Sequence, residues 1–117
     1  MSYVDGFVLA VPTANRETYR QFAADVAPLF KEHGALEVVE CWGDVVPDGE
    51  STSFPMAVKC GADETVVFSW IVWPSREARD HGMEKIIADP RMQPGAMEVP
   101  FDGKRMLMGS FEVLLKA

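Results

Sequence analysis

Residues 65–73 read Thr-Val-Val-Phe-Ser-Trp-Ile-Val-Trp and are followed directly by Pro74 and Ser75. A run this rich in β-branched and aromatic side chains, ending at a proline, predicts a β-strand. Ser75 is a good helix N-cap, so we expect a helix to begin there and to continue to about Ala88. Apolar side chains occur at both parities of the strand. This pattern predicts that both faces of the sheet are covered.

The rest of the chain extends this unit into the order strand, helix, strand, strand, helix, strand. Apolar residues recur at helical spacing after Asn15, the predicted N-cap, up to Gly34, which is predicted to follow the helix. Pro28 lies inside this pattern, so we expect a kink or a break just before it. Residues 56–61 fit either a helical turn entered through Ser53 and Pro55 or a short strand, and we favour a short helix. The remaining strands are predicted at residues 3–11, 35–42 and 105–115.

This order predicts an α+β, ferredoxin-like βαββαβ fold in a single domain over residues 1–117, with a four-stranded antiparallel sheet and two helices on one face. Two helices cover only one face of such a sheet, yet residues 65–73 are apolar on both. An exposed apolar sheet would promote aggregation. A second copy packed sheet to sheet solves this problem, and we therefore predict an obligate homodimer.

Charge and composition exclude several other partners. The chain has 11 basic and 18 acidic side chains, a formal net charge of −7 and no run of lysine or arginine, so we expect no nucleic-acid partner. It has no stretch of 18 apolar residues, which argues against a membrane span. The N-terminal stretch lacks a basic leader. We expect a cytoplasmic protein in which Cys41 and Cys60 are reduced.

Three segments of the sequence resemble the YbaA-like family of small bacterial proteins, a domain of unknown function. They are Glu40–Gly49 (ECWGDVVPDG), Val67–Arg76 (VFSWIVWPSR) and Pro100–Met106 (PFDGKRM). The resemblance extends over nearly the whole chain and implies membership of the dimeric α+β barrel superfamily. In that superfamily, two ferredoxin-like protomers pack their sheets together around a small cavity. The resemblance implies no particular activity.

Metal and cofactor binding are not expected. The only histidines are His33, at the end of the first helix, and His81, in a charged stripe of the second. We interpret His33 as a capping or surface residue and His81 as a solvated one, although His81 would be the best general base in the chain if it faced a cleft. Cys41 lies beside Glu40, whose charge disfavours a reactive thiolate. No metal site and no cofactor are therefore predicted.

Polar residues inside apolar strands are the candidates for a ligand site, because a buried polar group needs a partner. Two interpretations stay open: these groups face water or pair with a nearby arginine, or they line a cavity for a small hydrophobic or aromatic metabolite. A cavity above about 300 Å³ with both aromatic and carboxylate walls would favour the second interpretation, whereas a dry, packed interface would favour a protein that binds no ligand. The candidate ligand-binding residues are Glu40, Trp42, Trp70, Ser110 and Glu112.

The alternative function is that of a dimerisation or interaction module that binds no ligand, because the dimer interface buries the whole of its sheet face. Fold alone does not decide between the two, and whether any reaction is catalysed is left open.

Overall fold

The structure, a computed structural model, describes residues 2–117. Its strands are β1 (Tyr3–Pro12), β2 (Glu37–Trp42), β3 (Glu64–Trp73) and β4 (Leu107–Glu112). Its helices are α1 (Arg16–Glu32), α2 (Phe54–Ala57) and α3 (Arg76–Ala88). Within the described residues, no helix has the length and apolar character needed to cross a membrane.

The four strands form one antiparallel sheet in the order β2–β3–β1–β4. The two central strands, β1 and β3, pair along their whole length, from Tyr3 opposite Trp73 to Pro12 opposite Glu64. A helix follows β1 and another follows β3 before the chain returns to the sheet. The predicted α+β, ferredoxin-like βαββαβ fold is therefore confirmed.

The hydrophobic core lies between the sheet and the two long helices. Trp73 and Ile71 of β3 pack with Ile86 of α3, and Phe30 of α1 contacts this cluster. A second cluster places Tyr19 of α1 against the other half of β1 and β3; its fully enclosed strand residues are Leu9, Val11 and Val67. We call the opposite face of the sheet, which α1 and α3 do not cover, the open face.

Of the kink or break expected just before Pro28, the break is wrong. Helix α1 is continuous from Arg16 to Glu32 and contains Pro28 within it. Proline removes one backbone hydrogen bond, but Tyr19 and Leu29 are buried on either side of the middle of α1. Tyr19 packs on the strand residues Leu9, Val11 and Val67, and Phe30 packs on Trp73, so both halves of the helix are held on the sheet. Tertiary burial therefore outweighs the local preference for an interruption.

The ends of the helices agree with the predicted capping residues better than the course of α1 agrees with the prediction for Pro28. Ser75 Oγ accepts a hydrogen bond from the Ala78 amide, as predicted for the N-cap of α3. Gly34 follows α1 with a φ of 109°, which favours glycine. Asn15 occupies the N-cap position of α1, but its side chain makes no capping hydrogen bond. The short helix begins at Phe54 instead of residue 56, because Ser53 caps it.

One buried carboxylate joins four elements of the fold. Asp5 of β1 is only 4% exposed. Its Oδ2 accepts hydrogen bonds from the Trp73 indole at 3.0 Å and from Arg79 Nε of α3 at 3.2 Å, and its Oδ1 accepts one from Ser110 Oγ of β4 at 2.5 Å. Burial opposes the charge of Arg79, but hydrogen bonds to Asp5 and Asp80 raise its pKa above the usual value. Asp5 therefore has an arginine counter-ion and three hydrogen-bond donors.

We expect Asp5→Asn to lower the free energy of unfolding by about 2–4 kcal/mol, because the half-buried Arg79 keeps only the exposed Asp80 as a counter-ion and one amide cannot accept from all three donors. Chemical denaturation monitored by tryptophan fluorescence measures this loss. Asp80→Asn is the matched control. It removes a carboxylate that also bonds Arg79 but is 54% exposed, so its effect should stay within about 0.5 kcal/mol. Equal effects of the two substitutions would contradict this account.

Candidate functional site

The open face contains a broad apolar hollow. Gly6 of β1 lies opposite Gly109 of β4, so two adjacent positions lack side chains. The Phe111 ring lies over them, and a Cβ atom on Gly109 would come within 3.0 Å of it. Phe68, Trp70 and Leu107 complete the walls of a hollow of about 710 Å³. Phe111 is 60% exposed. Val58, after α2, covers Ala10 and Val66 at one end of the open face, but most of the Phe111 ring stays exposed.

A smaller pocket lies on the other face, between β2 and the start of α1, and has a volume of about 190 Å³. We call it the sheet–helix pocket. Glu40 and Trp42 are two residues apart on β2 and so share one face of the strand. Helical spacing brings the α1 residues to one side of their helix. The lining is Arg16, Tyr19, Arg20, Glu40, Cys41, Trp42 and Val67.

The polar centre of this pocket is a hydrogen bond from the Tyr19 hydroxyl to Glu40 Oε1, at 2.6 Å. Part of the Glu40 side chain is exposed at the mouth of the pocket. Burial of its carboxylate nevertheless raises the pKa of Glu40, although hydrogen bonds from Tyr19 and Ser69 act in the opposite direction. Burial and the bond to Glu40 also raise the pKa of Tyr19 far above its ordinary value. Tyr19 therefore stays protonated, and Glu40 holds a proton more tightly than an ordinary glutamate.

The outer edge of the pocket carries a cation held over an aromatic ring. The Arg16 guanidinium carbon lies 5.6 Å from the centre of the Trp42 ring. This distance is within the range of a cation–π interaction, which stabilises the arginine over the indole. The pocket therefore combines an aromatic wall, a carboxylate with raised proton affinity, and a positive charge.

The structure does not bring the five predicted ligand-binding residues together. Glu40 and Trp42 share the sheet–helix pocket, whereas Trp70 lies in the hollow on the open face. Ser110 donates to Asp5, and Glu112 is exposed at the end of β4. Strand register explains the separation. Glu40 pairs with Ser69, whereas Gly6 of the hollow pairs with Trp70, and the consecutive residues Ser69 and Trp70 point to opposite faces of the sheet. A ligand role for each residue remains a prediction.

The features expected of one large cavity, aromatic and carboxylate walls together, are likewise split between two separate cavities. The hollow has the volume and the aromatic side chains but no carboxylate, while the sheet–helix pocket has the carboxylate but only about 190 Å³. Tyr19 and Arg16 also line the sheet–helix pocket, and neither was predicted from the sequence as a ligand-binding residue. The hydroxyl of a buried tyrosine needs a hydrogen-bond partner, so Tyr19, on the apolar side of α1, could have been predicted to meet a polar strand residue.

The histidines and cysteines lie away from this pocket, apart from Cys41. His81 is exposed on α3. His33 Nε2 lies 3.6 Å from Asp89 Oδ2, at the end of α1. Cys41 and Cys60 are both free thiols. Within residues 2–117, no cluster of three or more histidine, cysteine, aspartate or glutamate side chains is arranged to hold a metal ion.

We expect Tyr19→Phe to raise the pKa of Glu40 further, because the substitution removes a hydrogen bond that favours the ionised carboxylate. Titration of the Glu40 carboxyl carbon by NMR measures this shift. Tyr3→Phe removes a hydroxyl from another buried tyrosine and should leave the Glu40 pKa unchanged. A Glu40 pKa that falls in Tyr19→Phe would show that the hydrogen bond does not act as described.

Comparison with known proteins supports both the fold and the family. The chain is 56% identical over 115 residues to the uncharacterized protein YbaA of Escherichia coli strain K12, covering 98% of each sequence. It has the same identity to YbaA of Shigella flexneri. A crystal structure described as a dimeric ferredoxin-like protein, from an uncultured marine organism, matches with a TM-score of 0.63 and 9% sequence identity. The alignment covers 99% of this chain and 98% of that one, and at this identity it shows the fold alone.

A family model described as "Protein of unknown function (DUF1428)" matches residues 2–103. Together with the relationship to YbaA over nearly the full length, this match confirms the family that the three sequence segments indicated. The chain belongs to the DUF1428 family.

Proposed function

We propose that the protein is a homodimer that binds a small hydrophobic or aromatic metabolite. Two copies pack through their open faces, and each protomer keeps its own sheet–helix pocket for the ligand. The observation that carries the ligand proposal is the hydrogen-bonded Tyr19–Glu40 pair beside Trp42. A few polar groups converging in an aromatic surround are the usual composition of a small-molecule site.

The open face supports the dimer. Phe68, Leu107 and Phe111 are large apolar side chains that are each at least 44% exposed, and they surround one continuous hollow. Contiguous apolar surface of this kind marks an interaction site in a stable protein. A second copy presents the same apolar face, so a two-fold axis pairs like with like. The solved structure with the matching fold is itself described as dimeric.

The volume of the sheet–helix pocket limits the ligand. An apolar cavity of about 150 Å³ accommodates a single benzene ring. A pocket of about 190 Å³ therefore suits a one-ring or similarly small molecule. Glu40 is the ionisable group of the pocket that lies beside Tyr19, so it is the candidate to exchange a proton with such a ligand.

The net charge of −7 argues against a nucleic-acid partner, since it would repel a phosphate backbone. The two unpaired thiols are compatible with a cytoplasmic location, because reducing compartments keep cysteines free. The apolar open face by itself also suits the alternative function, an interaction module without a ligand. The ligand screen below separates the two.

For the dimer, sedimentation should show a species of twice the 13.0 kDa mass of the chain at micromolar concentration. Phe111→Asp places a charge in the hollow and should weaken dimerisation by at least ~30-fold, the effect of losing one interface hot spot of about 2 kcal/mol. Leu114→Asp is the control, because Leu114 is 94% exposed beyond the end of β4. A wild-type monomer, or equal effects of both substitutions, would rule out the open face as the interface.

For the ligand, a thermal-shift screen of small aromatic and acyl metabolites should raise the melting temperature for at least one of them. A ligand at 100 times its Kd stabilises the folded state by about 2.7 kcal/mol. Trp42→Leu should abolish the shift, and Trp70→Leu should retain it, since these residues lie in different cavities. The reverse result would place the ligand in the hollow. The failure of every compound would favour the interaction module.

A further inference from the structure

We propose that the sheet–helix pocket selects an aromatic carboxylate that also carries a hydrogen-bond donor, such as a hydroxy-substituted aromatic acid. This inference rests on the proposed function, because it specifies the chemistry of the ligand in that pocket. In this arrangement Arg16 binds the carboxylate, Trp42 contacts the ring, and Glu40 accepts a hydrogen bond from the donor group.

The two arginines of the pocket differ in how their charges are used. Arg20 binds Glu17 through both Nη2, at 2.6 Å, and Nε, at 2.8 Å. Arg16, in contrast, forms no salt bridge with a carboxylate of the described residues, and its guanidinium lies over Trp42. An arginine whose donors are unused is suited to a planar carboxylate, which it can bind through two parallel hydrogen bonds.

Arg16 places a positive charge at a pocket of a protein that is acidic overall. The chain has an excess of seven acidic groups, so most of its surface repels an anionic ligand. An unpaired guanidinium at the mouth of a pocket makes that mouth locally favourable to an anion. The interaction with Trp42 also holds the guanidinium in place before a ligand arrives, which lowers the entropic cost of binding.

The charges at the two ends of the pocket set the orientation of the ligand. Glu40 repels a carboxylate, so the acid group of the ligand lies at Arg16 and the rest of the molecule points toward Glu40. One Glu40 oxygen already accepts from Tyr19. An ionised carboxylate has lone pairs to spare. A hydroxyl or amine on the ring therefore finds an acceptor there, whereas a second acid group does not.

The test compares 4-hydroxybenzoate with its neutral analogue 4-hydroxybenzyl alcohol, using dissociation constants from calorimetry at pH 7 and low salt. The acid should bind the wild-type protein about 10-fold more tightly than the alcohol, as expected for one charge-assisted interaction. Arg16→Gln should bring the two dissociation constants to within about 2-fold of each other, and Arg16→Lys should retain part of the difference. Circular dichroism verifies that each variant is folded.

Arg76→Gln is the matched control, because it removes another exposed positive charge, which lies on α3 and does not line the pocket. It should leave the preference for the acid unchanged. Equal binding of acid and alcohol by the wild-type protein would overturn this inference while leaving the proposed function intact. If neither compound binds, this inference fails, whereas the proposed function is still decided by the thermal-shift screen. A preference that survives in Arg16→Gln would exclude Arg16 as the carboxylate-binding residue.

Discussion

The buried carboxylate of Asp5 is the constraint on which the rest of the architecture depends. It lies on the central strand β1 and holds Trp73 of β3, Arg79 of α3 and Ser110 of β4. A charge in this position is costly unless every lone pair finds a partner. The sheet and α3 therefore meet in a geometry that turns the Asp5 parity of β1 toward the helices, the same parity that carries the core residues Tyr3, Leu9 and Val11.

Once this parity is set, the two faces of the sheet acquire different roles. The face toward α1 and α3 contains the core and, at its β2 edge, the Tyr19–Glu40 pair. The open face contains the paired glycines and the exposed aromatic residues around them. Separating the two roles lets a dimer interface form on one side of the sheet without closing the pocket on the other.

Much of this arrangement was predictable because it depends on local patterns. The strand at residues 65–73, the cap at Ser75 and the glycine after α1 were all confirmed, since each depends on backbone preferences over a few residues. The continuous helix through Pro28 was not predicted, because the packing of α1 on the sheet overrides the local effect of proline. The candidate residues Glu40 and Trp42 do meet in one pocket, but Trp70 and Ser110 lie elsewhere.

The sequence by itself determined the order of the elements, the ferredoxin-like fold and the apolar character of both sheet faces, because periodicity and turn residues encode these features locally. Only the tertiary structure decided which polar residues meet. The pairing of Tyr19 with Glu40 spans 21 residues and that of Asp5 with Ser110 spans 105. Such pairs depend on strand register and helix rotation, and these are set by the packing of the whole core and leave no signal within a short stretch of sequence.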